Sequence, residues 1–246
     1  MRLFGREGEA ERARALELRC EACGYPLGTL GALERCPECG RATALSDPAR
    51  REGSAWQRRG GAIGLAASGA MVLWRPRRFW DAARVDAASG LWLVAWHALL
   101  AALLGCAPLL LDRREWGGWA LFAGLVAGSA TLVLALTLIE ALGIRFWGRV
   151  HGFRVTRAVA WTICGHAAIG WTLGGALAAG GWLLGQRISE RGPRAIELWF
   201  VAIPTEIAAP VLIAAGGAFG LLVFETLTYL GVRRMRFANA PGAGAR

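Results

Sequence analysis

The stretch Ala88–Leu111 reads ASGLWLVAWHALLAALLGCAPLLL, and apart from a thiol its one ionisable side chain is His97. A helix needs about 20 mostly apolar residues to cross the hydrocarbon layer of a membrane. Three further stretches meet this criterion: Trp116–Leu142, Ala158–Leu184 and about Ile207–Leu230. The whole chain is 55% hydrophobic, whereas an average soluble domain is roughly 45–50% apolar. The sequence therefore predicts an all-α membrane helical bundle over residues 88–232.

A fifth apolar segment, Gly60–Trp74, is too short for an ordinary span. If it crossed the membrane, the arginines that follow it would lie outside the cell, against the usual cytoplasmic bias of arginine: Arg75, Arg77, Arg78 and Arg84. We therefore interpret residues 60–74 as an interfacial or re-entrant segment of a basic linker, residues 46–87. In the last apolar stretch, Pro204 and Pro210 either kink the helix or separate a short interfacial turn, Ile196–Ile203, from the span. Five transmembrane helices instead of four would require a crossing at residues 60–74 or a split of Ile196–Val232.

Arginine placement predicts the orientation of the spans, because basic residues next to spans are enriched on the cytoplasmic side. With four crossings, the linker, the loop Arg145–Arg157 and the tail, residues 233–246, lie on one side, and all three are rich in arginine. Residues 1–17 form a charged segment without the apolar run of a secretory signal peptide. We predict a multi-pass protein of the cell (inner) membrane with both termini in the cytoplasm.

Four cysteines ahead of the linker form one pattern: Cys20, Cys23, Cys36 and Cys39. Each C-x2-C pair presents two thiolates from a tight turn, and two such turns complete a tetrahedral sulfur site for zinc. The twelve residues between the pairs leave room for two short strands and a connection. Four thiolates fill the coordination sphere, so we expect structural rather than catalytic zinc. Iron is also compatible with tetrahedral sulfur ligands.

The local sequence around these cysteines, CEACGY at 20–25 and CPECG at 36–40, resembles a zinc ribbon of the rubredoxin-knuckle type. The resemblance implies a small β domain, and we assign it to residues 18–45. Two disulfides are the alternative, which the predicted cytoplasmic location disfavours.

Ionisable side chains inside spans are costly, and they are candidates for function. The residues of this kind that can converge in the inner half of the bundle are His97, Glu140, His166 and Glu225. One interpretation is a polar cluster for proton relay, ion passage or a second metal. The other is that each group bonds to a neighbouring helix or extends toward an arginine. Because the chain has no HExxH, P-loop, GxSxG or GxGxxG motif in a suitable context, the sequence predicts that the protein is not an enzyme.

Two resemblances concern the whole architecture. The Arg75–Trp80 stretch RPRRFW before the first span, the Gly/Ala-rich spans and the short basic tail resemble the Yip family of multi-spanning membrane proteins, which usually have five spans. The order of a cysteine head followed by such a body is also similar to a group of uncharacterised bacterial zinc-ribbon membrane proteins. These resemblances imply an architecture and no particular activity.

The leading hypothesis for function is an integral membrane scaffold or adaptor, whose cytoplasmic zinc ribbon binds a protein partner. The alternative is a small transporter or channel component that uses the His/Glu cluster. The net charge of +10 comes mostly from arginines beside spans, and the head itself is nearly balanced, so we expect the lipid bilayer rather than nucleic acid as a partner. Several Gly-x3-Gly pairs favour close helix packing, either within the bundle or in a homo-oligomer.

Overall fold

The computed structural model describes residues 17–28, 34–111, 119–190, 196–198, 201–203 and 207–240. Most of the described residues are helical. After two short 3-10 turns at Thr43–Ser46 and Pro48–Arg50, the elements are α1 (Ala55–Arg59), α2 (Gly61–Trp74), α3 (Pro76–Ala82), α4 (Ala87–Leu111), α5 (Trp119–Val150), α6 (Arg157–Ala167), α7 (Ile169–Ser189), β1 (Ile196–Leu198), β2 (Val201–Ile203) and α8 (Ala208–Met235). The charged segment predicted for residues 1–17 lies outside the described residues except at Glu17.

Four helical stretches are long and apolar enough to cross a membrane: Ala87–Leu110, Trp119–Val150, Arg157–Ser189 and Ala208–Met235. This confirms the prediction of a mostly helical body with four candidate spans. The third stretch consists of α6 and α7, which meet at Ala168. In the stretch that the sequence interprets either as part of a kinked helix or as an interfacial turn, the described residues form the antiparallel strand pair β1–β2, in which Ile196 pairs with Ile203.

The second span ends later than predicted, and the arginine-rich loop after it is shorter. Helix α5 continues to Val150, so Arg145 and Arg149 belong to the helix and not to a loop. It ends where Gly152 takes a positive φ of 70°. The amides of Gly152 and Phe153 then donate to the carbonyls of Arg149 and Gly148, at 3.3 and 2.7 Å. This is a Schellman motif, and it satisfies carbonyls that would otherwise lack donors at the helix end.

The chain forms two compact units. The first contains Met1–Leu93, Leu138–Ala167 and Leu227–Arg246, so it holds the cysteine head, the linker and the chain ends that the sequence assigns to the cytoplasmic side. Its largest fully buried side chains include Phe79, Trp80 and Ile163. Helices α4 and α6 approach closely there, because a Cβ on Gly165 would lie 2.5 Å from the carbonyl oxygen of Gly90.

The second unit contains Val94–Thr137 and Ala168–Thr226. Glycines bring α7 and α8 into backbone contact, since a Cβ on Gly170 would lie 2.6 Å from the amide nitrogen of Phe224. A Cβ on Gly175 would lie 2.3 Å from the carbonyl oxygen of Ala101, on α4. Helix α5 differs, because a Cβ on Gly124 or on Gly128 would meet no atom of the described chain within 4 Å. Close packing within the chain therefore uses only some of the Gly-x3-Gly pairs.

The segments on either side of α2 are bonded to each other. Before it, Arg51 donates to the carbonyls of Trp80 and Ala83, at 2.9 and 2.8 Å, and both acceptors follow α2 in the chain. The amide of Gly53 donates to the carbonyl of Ala82 at 2.8 Å. These contacts hold together the segments that precede and follow α2. The placement of α2 in a membrane stays a prediction.

Candidate metal centre

The first cysteine turn has a defined set of backbone hydrogen bonds. The amide of Cys20 donates to the carbonyl of Tyr25, and the amide of Gly24 donates to the carbonyl of Cys20. The amide of Leu27 donates to the carbonyl of Leu18, and all three bonds measure 2.8 Å. Gly24 has a φ of 84°, a conformation that costs other residues energy and glycine little. The turn therefore follows from the glycine that comes directly after the second cysteine.

The second cysteine turn repeats this pattern at equivalent positions. The amide of Cys36 donates to the carbonyl of Arg41 at 2.8 Å, and the amide of Gly40 donates to the carbonyl of Cys36 at 2.9 Å. The amide of Thr43 donates to the carbonyl of Glu34 at 3.0 Å. Gly40 has a φ of 69°. Each turn carries one isolated antiparallel bridge, Arg19 with Pro26 and Arg35 with Ala42. We call the two turns, residues 18–27 and 34–43, the first and second knuckles.

The two knuckles bring the four predicted ligands together. All four Sγ atoms of Cys20, Cys23, Cys36 and Cys39 lie within 4.8 Å of one another. The Sγ atoms of Cys20 and Cys39 are 3.5 Å apart, and those of Cys23 and Cys36 are 3.6 Å apart. Both exceed the disulfide bond length of about 2.05 Å. A tetrahedron with metal–sulfur bonds of about 2.3 Å has edges of about 3.8 Å. The sulfur atoms therefore have the spacing of an S4 metal site.

Backbone amides point toward the sulfur atoms in both knuckles. Hydrogen bonds reach Cys23 from the amide of Tyr25, and Cys39 from the amide of Arg41, so the donor lies two residues after the cysteine in each case. Burial alone would raise the pKa of the Cys20 thiol, but the amides of Cys23 and Ala22 and the neighbouring thiols lower it to about 7. Such amides stabilise negative charge on sulfur.

The pKa values of two other thiols, those of Cys23 and Cys39, are raised, so both resist ionisation when no cation is bound. Although the Cys23 side chain is exposed, partial desolvation raises its pKa, the Tyr25 amide opposes this, and contacts with the other thiols bring it to about 12. Four thiolates this close repel one another, and a dication removes that repulsion. The donor set therefore fits a metal that binds thiolates, and both zinc and iron satisfy this condition.

The apolar core of the head is small. It consists of Cys20, Leu27 and Cys36, with Leu18, Ala22 and Tyr25 packed against them. A hydrophobic core of this size cannot offset the conformational entropy of the segment. A bound metal supplies the missing stability in domains of this kind. The ligands are thus also the centre of the core.

The first knuckle is bonded to the C-terminal tail through Asn239, a contact that the sequence does not predict. The Asn239 side chain is fully buried. Its Nδ2 donates to the carbonyls of Arg19 and Ser46, at 2.8 and 2.7 Å, and its Oδ1 accepts from the Arg19 amide at 3.1 Å. Its backbone amide donates to Glu21 at 3.0 Å. Both residues that flank Cys20 are therefore held by one tail residue.

Two arginines complete this connection. Glu21 accepts two hydrogen bonds from the buried guanidinium of Arg51, at 3.3 and 2.8 Å. From the loop between α5 and α6, Arg154 donates to the carbonyl of Glu17 at 2.6 Å and to Asn239 at 3.2 Å. We call Arg51, Arg154 and Asn239 the docking residues. No sequence motif marks them, because their partners are up to 220 residues distant.

The predicted intramembrane residues are divided between the two units. His97 and Glu225 belong to the second unit, and His166 and Glu140 to the first. His97 is buried, and its Nδ1 lies 2.8 Å from the hydroxyl of Thr172. His166 is buried against the rings of Phe79 and Trp80.

Glu225 is exposed and Glu140 is half-buried. Within the part of the chain that the structure describes, the cysteines are the one group of three or more His, Cys, Asp or Glu side chains spaced to hold a metal. The convergence of the four intramembrane residues stays a prediction.

Comparison with known proteins adds no relative. No protein-family model, curated protein or solved structure matches this chain. The resemblance to the Yip family and to bacterial zinc-ribbon membrane proteins therefore stays a prediction, and the functional argument rests on the residues of the chain itself.

Proposed function

We propose that the chain is a membrane scaffold whose cysteine head, a zinc ribbon, binds one structural zinc ion and presents an interaction surface to a protein partner. The observation that carries the proposal is the set of four Sγ atoms within 4.8 Å, held by two knuckles with the same hydrogen bonds. Four protein ligands leave no coordination position for a substrate. The metal then has a structural role, and the proposed function is not enzymatic.

The unequal exposure of the two knuckles supports an interaction module. In the first knuckle, Gly24 is buried beneath the ring of Phe237, so this side of the head is occupied by the tail. In the second knuckle every residue from Glu34 to Arg41 is exposed except Cys36. Leu45, just after it, is 49% exposed. The first knuckle attaches the head, and the second is the surface that we propose for a partner.

A cytoplasmic location of the head accords with two observations. The arginine-rich linker and tail belong to the same unit as the head, and arginine favours the cytoplasmic ends of spans. The four thiols are not joined in disulfides, as is usual in reducing compartments. Contacts between the head and the tail also require an even number of crossings, which the four candidate spans provide.

The test uses the full chain, expressed in a bacterial membrane and purified in a neutral detergent. We expect one zinc ion per chain by elemental analysis, loss of the zinc in Cys36→Ser, and loss of cross-linked partners from the same variant. Membrane insertion should persist, because the candidate spans begin after the head. Cys106→Ser, which changes a buried cysteine of α4, is the matched control and should retain both zinc and partners.

Two outcomes would contradict the proposal. A wild-type chain purified without any metal would exclude the metal site. A Cys36→Ser chain that lacks metal but captures the same partners as the wild type would exclude the head as the interaction module.

A further inference from the structure

A cavity of about 330 Å³ lies within the first unit, beside the knuckles and the C-terminal end of α8. Five arginines line it: Arg41, Arg77, Arg233, Arg234 and Arg236. The acidic residues of its lining are Glu21 and Asp81. The lining thus has an excess of three positive charges, in a space large enough for a small anionic group.

Both carboxylates of the lining already have cationic partners. Glu21 is paired with Arg51, at 2.8 Å, and Arg51 is not part of the lining. Asp81 faces Arg234 at 3.6 Å. The positive charges of the remaining arginines are therefore not neutralised by the carboxylates of the lining. Repulsion among guanidinium groups in one cavity is unfavourable unless an anion offsets it.

Two of these arginines are positioned by aromatic rings. Arg236 lies over the rings of Phe153 and Phe237, at 5.3 and 5.4 Å from their centroids, and Arg233 lies over the Tyr229 ring at 5.7 Å. Cation–π contacts of this kind orient the guanidinium.

Two arginines of the lining are available to a ligand. Arg41 and Arg77 are exposed, and within the described chain neither guanidinium has a hydrogen bond or an ion pair. Both side chains can therefore donate hydrogen bonds to an anion in the cavity.

We propose that this cavity binds a phosphate group. Guanidinium groups form paired hydrogen bonds with phosphate oxygens, and several arginines around one cavity are typical of phosphate sites. Leu230 and Arg233 place the cavity at the end of a candidate span, where phospholipid headgroups lie. The phosphate comes either from an anionic phospholipid or from free phosphate, and the inference does not depend on the metal.

The test measures thermal unfolding of the full chain in a neutral detergent. One arm adds phosphatidylglycerol, with phosphatidylcholine as its control, and the other adds inorganic phosphate, with sodium chloride of equal ionic strength as its control. We expect a saturable rise in the unfolding temperature. A rise with phosphatidylglycerol alone identifies a lipid headgroup, and a rise in both arms identifies phosphate from either source.

The double variant Arg41→Gln/Arg77→Gln should need roughly thirtyfold more ligand for half saturation, since each arginine near a membrane surface contributes about fivefold. The matched control is Arg59→Gln/Arg149→Gln, which removes the same charge from exposed positions outside the cavity and should behave as the wild type. Arg233→Gln is a second, independent variant with the same expected direction. The proposal is overturned if neither ligand gives a saturable response, or if the cavity and control variants weaken binding equally.

Discussion

Gly24 and Gly40 occupy the same place in the two knuckles but have different surroundings. Both adopt a positive φ, 84° and 69°. A Cβ on Gly24 would lie 2.6 Å from the ring of Phe237, whereas a Cβ on Gly40 would meet no described atom within 4 Å. The first glycine thus serves both the turn and the contact with the tail, and the second serves the turn alone.

This difference predicts unequal costs for the same substitution. Gly40→Ala should destabilise the head by about 1–2 kcal/mol, the cost of a left-handed conformation for an alanine. Gly24→Ala should cost more, because the added methyl also displaces the Phe237 ring. Hydrogen exchange of residues 236–240 in the full chain measures the effect on docking.

A double-mutant cycle isolates the ring contact. Phe237→Ala should relieve part of the cost of Gly24→Ala and none of the cost of Gly40→Ala. Equal costs for the two glycine variants, or equal relief by Phe237→Ala, would contradict the contact.

At the scale of elements, the spans differ in how closely they pack. Helices α4 and α6 meet at Gly90 and Gly165 with no room for a methyl group. Helix α5 has open space at Gly124, and little of it is buried within the chain. Small residues in membrane helices allow close backbone approach, but only where a second helix faces them.

The packing difference predicts opposite outcomes for two glycine-to-alanine variants. Gly165→Ala should lower the free energy of unfolding by about 1–3 kcal/mol, the usual cost of overpacking. Gly124→Ala should leave it unchanged or raise it slightly, because alanine favours helix more than glycine does. Denaturant unfolding in detergent micelles measures both. A large loss of stability in Gly124→Ala would show that this face is packed, as it would be in a homo-oligomer that uses this helix.

For the whole molecule, the docking residues connect the cysteine site to distant parts of the chain. Arg19 and Glu21 flank Cys20, and both bond to Asn239. Arg154 adds the loop between α5 and α6. A structural change in the first knuckle should therefore also alter the tail and this loop, because the tail is bonded to the knuckle and the loop is bonded to the tail.

Chelation of the metal tests this connection. We expect removal of zinc from the full chain to speed hydrogen exchange in residues 18–46 and also in residues 151–156 and 236–240. Residues 94–111 and 119–137, in the second unit, should keep their protection, since their stability comes from the helices. Asn239→Ala is the comparison variant: it should loosen the tail while the four cysteines retain the metal. Unchanged exchange in the tail after chelation would contradict the connection.

The spans and the cysteine ligands were predictable because their signals are local. Hydropathy over about 20 residues identifies a span wherever it packs, and C-x2-C spacing with a following glycine produces a knuckle from its own backbone. The later end of α5 was missed because the apolar pattern stops at Leu142 while the helix continues to the glycine signal at Gly152. The strand conformation of β1 and β2 was not predicted because each strand has three residues, too few for a pattern of alternating side chains.

The docking residues and the arginine cavity depend on tertiary structure. Asn239 bonds to Arg19 across 220 positions, and the five arginines of the cavity come from the head, α3, the end of α8 and the tail that follows it. Composition and spacing along the chain do not predict such contacts, because the contacts are set by the packing of separate elements. The sequence alone determined four candidate membrane spans and a four-thiol head. Only the tertiary structure decided that one knuckle is held by the tail, that the other is exposed, and that arginines far apart in the chain surround one cavity.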